Sequence, residues 1–284
     1  IDTSNIYGMG KSEERIGEFL SKQGKQANSL FNIATKASIF SDPETGKRGF
    51  NNEGAHLEEE LDKSLKRMGL DCVDLFYVHR RDHNIEIEEV TESLANLVKK
   101  GKTKSIGYSE IAPSSLKRAS AIHHIAAVQS EYSLSTRAPE MGLVQACEEL
   151  GTALVAFSPV GRTFLTDNPL SYDFAQTLDF TKVNPRFKQP NYDKNIIISD
   201  KFRKYSKDSG IASATLSIAW LLAKSESIIP IPGTRSVKHL HELAAAMEVD
   251  VTDKMMSEIE NILPLGWAYG DRYSDAQWIG PERY

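Results

Sequence analysis

Short apolar runs alternate along this chain with segments of helical period, and that alternation restricts the fold more than any other feature. The runs are Phe31–Thr35, Val73–Val78, Ser105–Tyr108, Ile125–Val128, Ala153–Phe157 and Ile228–Ile231. Between them, Leu57, Leu61, Leu65 and Met68 share one helical register, and Val90, Leu94, Leu97 and Val98 share another. Shorter helical patterns carry Leu116 and Ala119, Val144 and Cys147, and Leu240 and Leu243. Gly69, Gly101 and Gly151 stand where helices would stop. Apolar strands joined by helical crossovers are parallel strands buried on both faces.

With Ile1–Thr3 read as the stub of a further strand, seven strands are predicted. The pattern fits an α/β fold, a (β/α)8 TIM barrel whose first strand and first helix are missing from this chain. An open doubly wound sheet is the competing fold. It is weakened because no G-x-G-x-x-G stands between a strand and a helix. No linker or repeat interrupts residues 1–284, so one domain is expected, incomplete at its N-terminus. The stretch Ser158–Tyr192, studded with Pro and Gly, reads as a long irregular loop, and loops of that length are usually functional.

Composition excludes several classes of function. The net charge of -5 argues against a nucleic-acid surface. The longest apolar run, Leu216–Ala223, is too short to span a bilayer and reads as a core helix. Cys72 and Cys147 each sit in an apolar pattern, so two buried thiols in a reducing cytoplasm are expected rather than a disulfide. Because the chain begins without Met, the absence of a leader carries no information.

Polar residues then mark the ends of successive strands. Asp2 and Tyr7 follow the first, Lys36 ends the next, and His79 ends the one after. Taken singly, each has an ordinary structural reading: a turn-forming Asp, a packing Tyr, a surface Lys, a core-edge His. In a barrel, adjacent strand ends would gather all four at the face that carries chemistry. The set suits carbonyl reduction. A phenol with a pKa of about 10 is a reluctant acid at neutral pH. A neighbouring ammonium eases its ionisation, and a carboxylate holds the ammonium in place. An imidazole N–H can meet the carbonyl oxygen. Tyr7 is therefore the expected general acid, Lys36 its tuner, Asp2 the anchor of Lys36, and His79 the carbonyl orienter. The hydride must come from a cofactor.

The chain resembles the aldo-keto reductases along nearly its whole length. The resemblance rests on Asp2-Thr3 with Tyr7-Gly8, Thr35-Lys36, His79, Gly107–Glu110, Val128–Tyr132, Ala156–Arg162 and Ile231–Arg235. It implies a TIM-type barrel, NADPH extended across the strand ends, a small aldehyde or ketone as substrate, and the four catalytic roles above. It further implies that Ser109 and Gln129 bond the nicotinamide carboxamide and that Phe157 stacks on its ring. Ser158, Val160, Gly161 and Arg162 would follow the pyrophosphate. Thr234 and Arg235 would take the adenosine 2′-phosphate, Gly233 before them would also contact the cofactor, and His239 stands where the family often has Arg. The tail 264–284 would help line the substrate pocket, with Trp267 or a neighbour taking part. The loop 158–192 would fold over the cofactor.

Two residues depart from the family pattern: Glu110 and Leu243 each stand where Asn is frequent. Some relatives of the fold are channel-associated regulatory subunits that bind the dinucleotide, and this is the alternative function. The intact His79 favours an enzyme. Gly10-Lys11-Ser12 and Gly101-Lys102-Thr103 lack the earlier Gly of a P-loop, and His123-His124 has no second ligand set, so no metal is expected. The sequence leaves substrate identity and oligomeric state open.

Overall fold

The strands are built from runs apolar enough to be covered on both faces. A computed structural model describes residues 1–24, 30–41 and 48–283. Residues 42–47 of the expected polar loop, and Tyr284, lie outside these. The chain divides into two compact units, one of residues 1–129, 145–153 and 280–284, the other of residues 130–144 and 154–279.

The first unit opens with α1 (Lys11–Gln23), β1 (Ala34–Ala37), β2 (Ile39–Ser41) and β3 (Arg48–Phe50). It continues through α2 (Gly54–Met68), β4 (Val73–Val78), α3 (Ile87–Lys99), β5 (Thr103–Ser109), α4 (Pro113–Ser120) and the start of β6 (Ala127–Glu131). The strands β1, β4, β5 and β6 neighbour one another in that order and are all parallel. Register sets Lys36 opposite Tyr77, Tyr77 opposite Gly107, and Ser109 opposite Gln129. The stub predicted at Ile1–Thr3 is a parallel bridge of Asp2 to Ala34, extended by Thr3 N–H to Ala34 O at 2.9 Å and Asn5 N–H to Lys36 O at 3.1 Å.

The two longest helical registers read from the sequence are largely buried, whereas Leu240 of the later register is exposed. Leu57, Leu61, Leu65 and Met68 of α2 are buried, as are Val90, Leu94 and Leu97 of α3. Helix α2 stops at Gly69, whose φ of 66° is left-handed and whose N–H turns back to Leu65 O and Lys66 O. Gly107 has a different reason to be glycine. A Cβ there would stand 2.7 Å from the Tyr77 ring and 2.6 Å from Ala127 O, so the lack of a side chain lets Tyr77 lie across the sheet.

One expectation needs correction. The polar loop predicted from Asp42 to Phe50 ends in a strand, since Arg48–Phe50 pairs antiparallel with Ile39–Ser41. Three-residue strands are too short to show a period, so the hairpin was not legible.

The second unit carries the end of β6, the start of α5 (Leu143–Leu150), β7 (Ala153–Phe157) from Leu154 onward, α6 (Tyr172–Thr177), α7 (Asn191–Asp208) and α8 (Ser213–Lys224). Strand β8 (Ile228–Pro230), α9 (Val237–Ala244) and α10 (Asp253–Ile262) follow. Strands β7 and β8 are parallel, with Val155 opposite Ile229. Helix α8 buries Leu216, Ile218, Trp220 and Leu221, so the longest apolar run is a core helix. The stretch 158–192, expected to be irregular, is organised around its own apolar centre of Phe164, Ala175, Phe187 and Tyr192. Besides α6 it holds short 3-10 turns at Gly161–Thr163, Thr181–Val183 and Pro185–Phe187, the last capped by Asn184 Oδ1 accepting from Arg186 N at 3.0 Å. Its aromatics gather from irregular spacings, which no periodic pattern reveals. Among the described residues, no helix is long and apolar enough to cross a membrane. Cys72 and Cys147 are free thiols, the first half-buried and the second buried.

Candidate active site

In the first unit, the stub and the ends of β1 and β4 bring Asp2, Tyr7, Lys36 and His79 together. Lys36 is fully buried, and its ammonium donates to Asp2 Oδ1 and, at 2.7 Å, to Thr3 O. Nζ stands 5.3 Å from the centre of the Tyr7 ring and 5.7 Å from that of Tyr77. The rings of Tyr7 and His79 meet edge-on at 5.9 Å and 83°. Tyr7 is 41 % exposed, so the quartet has one face open to a ligand.

Burial costs charged groups their hydration, and both cationic members register this. The Lys36 pKa is lowered by burial, against the opposing pull of Asp2. The His79 imidazole is held well below its usual range by burial and then by the nearby charges of Arg80, Lys36 and Arg48. His79 is therefore neutral at physiological pH, with a single N–H to place.

A supporting layer went unnoticed in the sequence. Glu13, fully buried at the start of α1, accepts from Thr35 Oγ1 at 2.5 Å and from Arg67 Nε at 2.6 Å, which pins the residue before Lys36. Arg80, directly after His79, is buried and donates through Nη1 to His79 O at 2.6 Å and to Ser109 Oγ at 2.9 Å. Ser38 and Asn52 donate in turn to Arg80 O, at 2.8 and 3.0 Å. Ser4 Oγ lies 3.1 Å from His79 Nδ1. An Arg pair closing an apolar run was the available signal for Arg80, whereas Glu13 looked like an ordinary helix-start acid.

Ser109 and Gln129, predicted to meet a nicotinamide, stand at paired strand ends. Here Ser109 accepts from Arg80, and Gln129 Nε2 donates to Asp2 Oδ2 at 2.8 Å. Glu110, directly after Ser109, takes a left-handed φ of 59°. Asn suits such a backbone better than Glu, which gives the departure noted above a physical meaning. The last residues of the chain dock beside these groups: Glu282 accepts from Ala112 N at 2.7 Å, pairs with Arg81 at 3.5 Å and donates from its own N–H to Glu110 O at 2.8 Å.

The second unit holds the other predicted cofactor residues. After β7 the backbone turns left-handed at Ser158 (φ 51°), Gly161 (58°), Arg162 (53°) and Thr163 (83°). Non-glycine residues adopt that region at a cost of about 1 kcal/mol each. Such turns aim successive N–H groups to one side and suit an anion. A cleft of about 400 Å³ adjoins this loop, lined on its apolar side by Val160, Ala214 and Leu243 and at its rim by Thr234, Lys238 and His239. Gly233 also lines it, with open space where a Cβ would be. Helix α9 begins here, capped by Ser236, and a helix N-terminus favours an anion. The apolar walls, the cation and the helix start fit the adenosine end of a phosphorylated dinucleotide.

Four further predicted residues have the following settings. Arg235 is exposed and is not part of the cleft lining, while Lys238, which the sequence reading passed over, is. The Arg162 guanidinium points to Glu131, donating from Nη2 at 2.5 Å, and lies 4.1 Å from the Phe180 ring centre. Phe157 is half-buried, its carbonyl accepting from Tyr132 N at 3.3 Å. Trp267 is buried, and its indole N–H donates to Leu134 O at 2.7 Å.

Glu131 is itself a hub. This buried carboxylate faces Arg162, Arg186 at 3.9 Å and Arg272 at 3.6 Å. Burial works to raise its pKa, but the three guanidinium groups outweigh that and hold it at about 2. Among the described residues, no group of three or more His, Cys, Asp or Glu side chains could hold a metal.

Solved structures share this architecture. A glycerol dehydrogenase of Gluconobacter oxydans superposes with a TM-score of 0.80 over 93% of this chain and 80% of its own, at 24% identity. A thermostable aldo-keto reductase crystallised with the inhibitor epalrestat gives 0.70 over 92% and 81%, at 25% identity. The fold class is α/β, of the TIM-barrel type. The aldo/keto reductase family model matches residues 1–264. The chain is 39% identical over 275 residues to an NADP(+) aldo-keto reductase of Schizosaccharomyces pombe, covering 96% of this chain and 80% of that protein. It is 36% identical to a probable aldo-keto reductase of Glycine max, covering 96% of this chain and 77% of that protein. The chain belongs to the aldo/keto reductase family, a family of oxidoreductases.

Proposed function

We propose that this protein reduces small aldehydes or ketones to alcohols with NADPH, Tyr7 giving the proton to the carbonyl oxygen. The observation that carries this reading is the quartet in the first unit. A half-exposed phenol stands beside a buried ammonium that is anchored by a carboxylate, with a neutral imidazole at the phenol's edge. Bound NADPH supplies the hydride.

The protein's own groups do the rest. Lys36 places fixed positive charge by Tyr7, which favours the phenolate left behind when the proton departs. Asp2 and Thr3 O hold the ammonium against motion. His79, kept neutral, is a hydrogen-bond donor to the carbonyl rather than a proton source. For the cofactor, Ser109 and Gln129 take the carboxamide of the nicotinamide. The left-handed turn at Ser158–Thr163, including Gly161, offers backbone N–H groups to the pyrophosphate. Thr234, Lys238 and His239 receive the 2′-phosphate of the adenosine, with Arg235 as a further cation in the same segment.

The testing experiment follows loss of reduced-nicotinamide absorbance with NADPH and a panel of small aldehydes and ketones, with Tyr7→Phe as control. Turnover that vanishes in the variant supports the reading. Tight NADPH binding with no turnover on any carbonyl overturns it.

A further inference from the structure

We infer that Ser4 is a positioning residue that sets the tautomer of His79, its hydroxyl donating to Nδ1 so that the ring's one proton sits on Nε2. The pairing of Ser4 with His79 is independent of the proposed function; the direction given to it rests on the proposed role of His79 as carbonyl donor.

The geometry begins with strand periodicity. Asp2 to Asn5 run beside β1 as an extended segment, bridged at Asp2 and bonded at Thr3 and Asn5. Alternate residues of such a segment face the same way. Asp2 and Ser4 therefore share a face, where Asp2 meets Lys36 and Ser4 meets His79. Ser4 is fully buried, and His79 is only 7 % exposed. Among the described residues, Ser4 is the one side chain that hydrogen-bonds the imidazole.

A neutral imidazole has one N–H and one bare nitrogen, and a hydroxyl can serve either. Ser4 Oγ has three acceptors in reach: His79 Nδ1 at 3.1 Å, Lys36 O at 3.2 Å and Asn5 Oδ1 at 3.3 Å. The Lys36 carbonyl already accepts Asn5 N at 3.1 Å, so it does not depend on Ser4. The Asn5 amide is oriented independently, its Nδ2 donating to Glu60 Oε2 at 2.7 Å. Among the described residues, a bare Nδ1 has no other side-chain donor. Either tautomer pairs the buried Nδ1 with Ser4 Oγ, so the choice between them falls to Nε2; with the hydroxyl proton given to Nδ1, both buried atoms are satisfied. The remaining N–H, on Nε2, is then free for a substrate oxygen. In the opposite arrangement Nδ1–H would donate to Ser4, and Nε2 would present a lone pair to a carbonyl that also presents one.

The test uses the full-length protein labelled with 15N-histidine, the His79 signals being assigned by their loss in His79→Gln. Two-bond proton–nitrogen correlations report which ring nitrogen carries the proton. The expected result is Nε2–H in the wild type, a shift toward Nδ1–H in Ser4→Ala, and restoration in Ser4→Thr, which keeps the hydroxyl. Aldehyde turnover should fall in Ser4→Ala by roughly 10²-fold, as for loss of one oxyanion donor, with NADPH affinity unchanged and recovery in Ser4→Thr. An Nδ1–H tautomer in the wild type overturns the inference, and so does an unaltered tautomer in Ser4→Ala. A tautomer switch with unchanged turnover would uphold the hydrogen bond and refute His79 as carbonyl donor.

Discussion

Two buried ionic clusters stand at strand ends in this protein, and they are built oppositely. At the end of β1 one buried cation, Lys36, meets one carboxylate, Asp2, and a half-exposed phenol lies beside them. At the end of β6 one buried carboxylate, Glu131, meets three guanidinium groups, and these come from two separate stretches of the second unit. Arg162 and Arg186 belong to the 158–192 stretch and Arg272 to the tail. Asn184 and Asn195 tie the same pieces together, donating to Arg272 O at 2.6 Å and Tyr269 O at 2.9 Å. The first cluster presents a titratable group to the outside; the second clamps chain segments. Burial and ion pairing are common to both, so neither marks catalysis by itself. The proposed catalysis rests on the open phenol.

Breaking each cluster should therefore damage different properties. The largest effect is expected from Tyr7→Phe, which should cut kcat by on the order of 10²–10⁴-fold, the usual contribution of a positioned acid. NADPH affinity, measured by fluorescence titration, should stay near the wild-type value; retention of most turnover would remove Tyr7 as proton donor. Glu131→Gln should instead cost about 3–5 kcal/mol of stability, because it leaves three buried cations without their carboxylate. Urea melts would show the loss, and hydrogen exchange should rise across 158–192 and around Arg272. A variant as stable as the wild type would mean the hub is dispensable.

Acid titration separates the clusters further. The His79 pKa is lowered by folding, so its stability contribution is complete above about pH 6.5, its unfolded value, and is lost as pH falls below that. Glu131, lowered from 4.5 to about 2, contributes stability above its unfolded value that is lost as pH falls through the native one. That loss is on the order of 3 kcal/mol. Stability measured from pH 8 to pH 3 should fall in two stages. His79→Gln should flatten the upper stage and Glu131→Gln the lower; a variant that leaves its own stage intact would contradict the assignment.

The smallest effect concerns the cleft of the second unit. Lys238→Ala should weaken NADPH binding by about 1.5 kcal/mol, as for a hydrogen bond to a charged group, with NADH little affected. Arg235→Ala should do less, since Arg235 is outside the lining. Equal losses for both cofactors in Lys238→Ala would dismiss the 2′-phosphate role.

Much of this was legible beforehand, for reasons that differ by residue. Leu57, Leu61, Leu65 and Met68 announce a buried face because helical period is written directly in spacing. Lys36 and His79 stand out because a polar residue closing a buried strand needs a reason. Arg162 shows the limit of such reading. Its neighbours and its left-handed backbone suit an anion, yet its side chain turns to Glu131, thirty-one residues earlier. Spacing says nothing about which of several charges a guanidinium will choose. Lys238 and Arg235 pose the same difficulty at closer range, three residues apart on one segment, and only the path into α9 separates them.

Local chemistry in the chain thus determined the parallel strands, their helices and the four polar residues at strand ends, because period, chain-breaking Gly and isolated polar groups are properties of neighbours in sequence. Tertiary structure alone decided the partners of charged and polar side chains: Glu131 with its three arginines, Glu13 beneath Thr35, Ser4 against His79. It also gave the 158–192 stretch its own apolar centre. Those pairings join groups as far as 141 residues apart, Glu131 and Arg272, and their energies exist only once folding has removed the water between them.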